Sequence, residues 1–386
     1  MSQPTPQLFC FVFALFGASG MLNRGFFRAG GEVGALPIHR SLHDSDDPSR
    51  FAHKIGKMYH TLALLTATVL SRRSLRYRGG ADPTQDLPAH VRAGSGLAWW
   101  GDHLAVVQDD TRVVALVDPD TGEALPLLLP ADEGIRVFEP ARGNKQRKLD
   151  FESAFSLTRD GQHHLIALGS GSTPARETLL RLRCPADMQP HTGLVGELIP
   201  LPRLYRLLRE TTAFAGSELN LEGAAPLPDG SLMLFQRGNG APIGDLLPVS
   251  ATALIPLDAL LALLDDPEGA ALPELRSIEQ HHFPPAPQGA SYSFTDAAWT
   301  GDRLTYIAVA ECSPNSYDDG EVVGSLVGWH DADGWHCAPL RNSDGSLLLD
   351  KPEGLAPTRD GSGDLWMVTD NDDPSRPSEL LRVALR

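Results

Sequence analysis

The stretch KPEGLAPTRDGSGDLWMVTDND, Lys351 to Asp372, reads as a β-hairpin with acids at both ends. Glu353 leads into small and apolar residues, the chain turns at Gly363–Asp364, and the apolar run LWMV returns toward Asp370 and Asp372. Gly and Asp between two such runs are hairpin signals. The same layout occurs four more times: SGLAWWGDHLAVVQDDTRVVALVD from Ser95, ESAFSLTRDGQHHLIALGSGS from Glu152, EGAAPLPDGSLMLFQRGNG from Glu222 and TDAAWTGDRLTYIAVAECS from Thr295. The polar first positions are spaced by 57, 70, 73 and 58 residues, room for a four-stranded unit each.

Third strands are expected in TRVVALVD, ETLLRLRC, ATALIPL, VVGSLVGWHD and SELLRVAL. Fourth strands are expected in EALPLLLP, VGELIPL, LRSIEQHHF and WHCAPLRN. All-β repetition at this period is the signature of a propeller, here with five blades. The last unit lacks a fourth strand before the chain ends at Arg386, and the segment from His60 to Gly79 can supply it. Such a closure hides two sheet edges at once. PRLYRLLRETTAF and LDALLALLDDP have apolar residues at helical spacing and are read as helices packed on the blades.

In this architecture first strands line the axis and second strands return antiparallel to the same mouth. Ser95, Glu152, Glu222, Thr295 and Glu353 should therefore converge. Around them should stand Asp109 and Asp110, Ser170 and Ser172, Arg237 and Asn239, Glu311, and the run Asp370–Asn371–Asp372, which also suits a turn. Oxygen donors of this kind suit Ca²⁺. A second reading is open: backbone amides cap the glutamates, which hold the blades in register around water.

The order Ser, Glu, Glu, hydroxyl, Glu, in SGLAW, ESAF, LEGAA, FTDAAW and PEGLA, resembles the calcium-activated nucleotidases, or apyrases. EGLA and SGLAW also look like phytase-like propeller domains of bacterial proteins. The apyrase resemblance implies an axial Ca²⁺ held by Ser95, Glu152, Glu222, Thr295 and Glu353, with Thr295 where that family has serine. It further matches Asp109 and Asp110 in QDDTR to an acidic pair after the first blade's second strand; Arg237 and Glu311 sit at comparable strand ends. The expected activity is hydrolysis of a small phosphorylated or otherwise anionic substrate. Asp109 or Asp110 would handle a water's proton, and Arg237 would hold a substrate anion. The rivals are a lactonase or ester hydrolase with the same metal, and a non-catalytic propeller in which the ion only staples the blades.

A formal charge of −16 disfavours nucleic acid as a partner. Residues 1–57 lack a clear period and are read as an extension outside a single domain over 58–386. Its apolar run LFCFVFALFGA is too short for a membrane span. No basic residue precedes it, so a cytoplasmic protein is expected, with secretion or a periplasmic location the alternative if residues 1–20 act as a signal. Cys184 and Cys312 are expected as packed thiols, the HH pairs at His163–His164 and His281–His282 as surface residues, and Trp99, Trp299 and Trp366 between blades.

Overall fold

Apolar runs such as LAVV, LIAL and YIAVA predict strands buried on both faces, and a computed structural model of the chain shows what covers them. It describes residues 56–63, 65–312 and 320–386; the extension expected over 1–57 falls almost wholly outside these. The described chain forms five antiparallel four-strand arrays. The first runs through Gly94–Trp100, His103–Gln108, Val113–Val117 and Glu123–Leu128. The second runs through Phe151–Arg159, Gln162–Gly169, Thr178–Pro185 and Glu197–Pro200. The third comprises Leu221–Pro226, Ser231–Gln236, Ala251–Pro256 and Arg276–His282. The fourth comprises Tyr292–Trp299, Leu304–Cys312, Glu321–Asp331 and Gly334–Arg341.

The fifth array takes Lys351–Pro357, Leu365–Asp370 and Glu379–Leu385 from the C-terminus. Its outer strand is Ala67–Ser74, antiparallel to Glu379–Leu385, as the missing fourth strand required. First strands pack in a closed circuit: each against the next, and Lys351–Pro357 back against Gly94–Trp100. Between neighbouring arrays lies a separate apolar core. Leu165 and Leu180 pack with Ala105 and Val114, for example, and Met367 and Leu381 with Ile307 and Val327. That is why both faces of these strands are apolar. The result is an all-β, propeller-like fold.

Helices α1 (Pro202–Glu210), α2 (Thr212–Ala215) and α3 (Leu257–Asp265) fall in the two expected insertions. Leu204, Tyr205 and Leu208 of α1 and Leu260, Leu263 and Leu264 of α3 enter the core between the second and third arrays. Tyr205 also donates its hydroxyl to Gly169 O (2.7 Å), bracing the loop that carries Ser170 and Ser172. Among the described residues no helix is long and apolar enough to cross a membrane.

Two local expectations are corrected. Cys184 is buried, but Cys312 is exposed because it ends its strand. His281 is buried while His282 is exposed, since alternation along Arg276–His282 turns successive side chains to opposite faces. Trp366 is buried between arrays; Trp99 and Trp299 line a small apolar cavity of ≈ 200 Å³ formed by all five first strands.

Candidate functional site

Each first strand carries the same irregularity. Pairing with the second strand skips one residue, between Gly94 and Gly96, Phe151 and Ser153, Leu221 and Gly223, Phe294 and Asp296, and Pro352 and Gly354. The skipped residues are Ser95, Glu152, Glu222, Thr295 and Glu353, the five polar positions singled out by the repeat. A β-bulge frees a residue from the ladder and re-aims its side chain. Close approach of neighbouring first strands accompanies the bulge. A Cβ on Gly96 would lie 2.9 Å from Ala154 N, and one on Gly354 2.9 Å from Leu97 N.

The five do not share one environment. Ser95 donates its hydroxyl to Phe151 O (2.5 Å) and Thr295 donates to Pro352 O (2.8 Å), so each latches its strand to the next array. Both are fully buried and neither lines the large cavity. Glu152, Glu222 and Glu353 do line it, in a mouth of ≈ 1690 Å³. So do Asp109, Asp110, Ser172, Arg237, Asn239, Glu311, Asp370 and Asp372 at or beyond the second-strand ends. Asp370 accepts the Asp372 backbone N–H (2.9 Å), and Asp372 adopts a φ of 49°, so this stretch is a turn that also faces the mouth.

Among the described residues, twelve carboxylates and six lysines and arginines line the mouth. Five cations pair with these acids. Lys148 contacts Asp109 and lies 2.6 Å from Asp150 Oδ1. Arg237 spans Glu222 (3.2 Å) and Glu311 (3.1 Å). Lys351 meets Glu353 and Asp372, each at 3.1 Å, and Glu311 at 3.5 Å. Arg92 holds Asp110 at 2.7 Å and Glu139 at 2.8 Å, and Arg176 holds Asp150 at 2.8 Å. Asp110 Oδ1 and Glu222 Oε2 are buried and have no hydrogen-bond partner among the described residues.

These pairings do not discharge the acids. Burial, then the negative charge of Asp150, Glu222, Asp109 and Glu353, pushes Glu152 well above the usual carboxylate range. Burial raises Glu222 to about 7 against the pull of Arg237 and Lys351. Burial and then Asp109 raise Asp110 to about 7. Glu353 and Asp370 also stand well above their ordinary values, chiefly through burial. Asp150 goes the other way: burial opposes its charge, but Lys148 and Arg176 outweigh it. Asp109, Asp150 and Glu152 each present an oxygen, the three within 4.8 Å of one another, and could bind a metal ion.

That triad overlaps the expected metal set only at Glu152. The repeat sets Asp109 beside the metal rather than on it, and its polar starts do not include Asp150, Lys148 or Lys351. For Asp150 and Lys351 the sequence does hold a positional signal. Ala93, Asp150, Asn220, Ser293 and Lys351 each stand two residues before a bulge position, and all five line the mouth. Period-two alternation, carried one step before each repeat, points to them.

Fold and site together define a propeller-like β protein with a buried, acid-rich mouth. The chain belongs to a family of unknown function, DUF6929, which it matches over residues 90–385. Curated proteins yield no match. Solved structures similar to it include glutaminyl cyclase from Myxococcus xanthus, 10% identical, covering 85% of this chain and 98% of that one at a TM-score of 0.37. Arabinanase Arb43A from Bacillus subtilis is 10% identical, with 77% and 94% covered and a TM-score of 0.35. An exo-1,5-α-L-arabinanase from a bovine ruminal metagenomic library is 9% identical, with 77% and 97% covered and a TM-score of 0.37. Likeness this remote assigns no activity.

Proposed function

We propose that the five arrays are the blades of a five-bladed β-propeller whose mouth holds Ca²⁺ and hydrolyses a small phosphorylated or otherwise anionic substrate. The observation that carries this reading is the triad of Asp109, Asp150 and Glu152, set in a mouth whose described residues include twice as many carboxylates as lysines and arginines. An anion would be repelled from such a mouth unless a cation bridged it. Three carboxylate oxygens, one from Asp109 after the first array's second strand and two from Asp150 and Glu152 at the start of the second array, suit the flexible oxygen coordination of Ca²⁺. The apyrase resemblance of the five strand starts supports the same ion.

When bound, the ion supplies a Lewis acid for a phosphoryl or carbonyl oxygen. The chain's own residues then divide the work. Arg92 fixes one Asp110 oxygen at 2.7 Å, leaving Oδ1 without a partner among the described residues and able to accept a proton from water. Arg237 holds Glu222 and Glu311 in place and would exchange the more exposed Glu311 for a substrate anion. Glu353 stays anchored by Lys351, and Ser95 and Thr295 keep neighbouring inner strands in contact.

The test is an assay of chelator-treated protein, with and without Ca²⁺, against nucleoside di- and triphosphates, phosphate monoesters and lactones, beside Asp110→Ala. Calcium-dependent phosphate release that disappears in the folded variant is the expected result. Turnover of lactones alone would transfer the site to the ester-hydrolase reading. Calcium-dependent melting without any turnover would reduce the ion to a staple. No effect of Ca²⁺ on melting or activity would end the metal reading.

A further inference from the structure

The triad already has an occupant. Lys148 is buried, with its ammonium in contact with Asp109 and 2.6 Å from Asp150 Oδ1. Asp109, Asp150 and Glu152, the three possible metal ligands, are also the three acids whose charges act most strongly on Lys148. The lysine enters from extended backbone directly after a short 3₁₀ turn, Lys145–Arg147, two residues before Asp150 and four before Glu152. Two further basic groups stand nearby: Arg176 bonds the second Asp150 oxygen, and Arg92 serves Asp110 and Glu139.

We infer that Lys148 is an internal competitor for the metal: its ammonium neutralises the triad in the cation-free protein and must yield when a divalent cation binds, so that it sets the site's affinity. This rests on the cation reading above. A dication reaching the triad meets a positive charge in contact with two of its three ligands, a repulsion that is strong at such range. Conversely, without metal or ammonium the buried Asp150 and Glu152 and the half-buried Asp109 would keep only Arg176 as a countercharge, a burden on the fold. The lysine resolves that conflict and keeps the empty mouth folded.

Lys148→Met removes the charge at similar length and Lys148→Arg keeps it. Calcium binding is measured by calorimetry on the full chain after chelation, and melting is followed in chelator and in Ca²⁺. Lys148→Met should bind Ca²⁺ on the order of tenfold more tightly than the unmodified protein, melt lower in chelator, and recover more on adding Ca²⁺. Lys148→Arg should stay near the unmodified affinity. Equal or weaker binding by Lys148→Met overturns the inference, because the lysine would then only support the carboxylates, and the cation site would stand. Binding by neither protein overturns both readings. If Lys148→Met does not fold, Lys148→Gln, which retains a donor toward Asp109 and Asp150, takes its place and is read the same way.

Discussion

Single residues at the bulges do two separable jobs. Glu152, Glu222 and Glu353 face the mouth, whereas Ser95 and Thr295 bind the carbonyl of the neighbouring inner strand. Asp296, beside Thr295, adds a third link by accepting the Leu355 N–H at 2.7 Å. Ser95→Ala is expected to lower unfolding free energy by about 1 kcal/mol, because the buried Phe151 carbonyl loses its donor. Denaturant unfolding at one pH measures this, and Ca²⁺ affinity should stay unchanged. Gly354→Ala should cost more, about 1–3 kcal/mol, since its Cβ would sit 2.9 Å from the Leu97 backbone nitrogen, which cannot move aside as a side chain could. A Gly354→Ala protein as stable as the original would show that the inner strands are not held at this distance.

At the scale of elements, Gly56–Tyr59 adds parallel to the outer strand of the third array and Thr61–Leu62 to that of the fourth. His60 lies between them and is buried. Its ring contacts the Tyr306 hydroxyl and lies 3.0 Å from His281 Nδ1, and His281 Nε2 is 2.9 Å from Thr252. Phe283, Phe294 and Trp335 surround the pair. Burial, then the neighbouring His282 and His330, lowers His60 to about 3, and His281 is also held well below its ordinary value. A histidine kept neutral in the fold but free to charge when unfolded adds stability that is complete above about pH 6.5. That stability drains as pH falls toward 3, by on the order of 1.4 kcal/mol per pH unit for one such group. His60→Gln should flatten this acid loss, so the variant gains on the original protein as pH drops. Parallel unfolding curves from pH 7 to 4 would contradict the assignment.

At the scale of the molecule, closure depends on a strand from the other end of the sequence. Ala67–Ser74 pairs with Glu379–Leu385 and buries Ala67 and Val69, while Arg72 bridges Asp350 at 2.7 Å and Glu379 at 3.0 Å. Ala67 and Thr68 also pair parallel with Leu340 and Arg341 of the fourth array, joining two arrays directly. A chain starting at Arg76 would leave the Glu379–Leu385 edge unpaired, and such edges invite association. It is expected to be aggregated or unfolded by size-exclusion chromatography and circular dichroism. A chain starting at Gly56, which keeps all described strands, should remain folded.

Strand order and the main mouth-lining residues could be read along the chain, because each repeat carries its own turn chemistry and its own polar start. Both helical insertions were legible for the same local reason, as was the need for an N-terminal strand in the last array. What could not be read is how five similar positions divide their labour. The repeat makes Ser95 and Thr295 equivalent to the three glutamates, but a hydroxyl is short enough to meet the next strand's carbonyl, whereas a glutamate reaches into the mouth. Nor does spacing reveal that Lys148 and Lys351 neutralise the acids, since those ion pairs join residues as far apart as Asp109 and Asp150, or Glu311 and Lys351. Local pattern sets which strands form and which way side chains alternate; charge balance in a buried mouth depends on distances that exist only once all five arrays have closed.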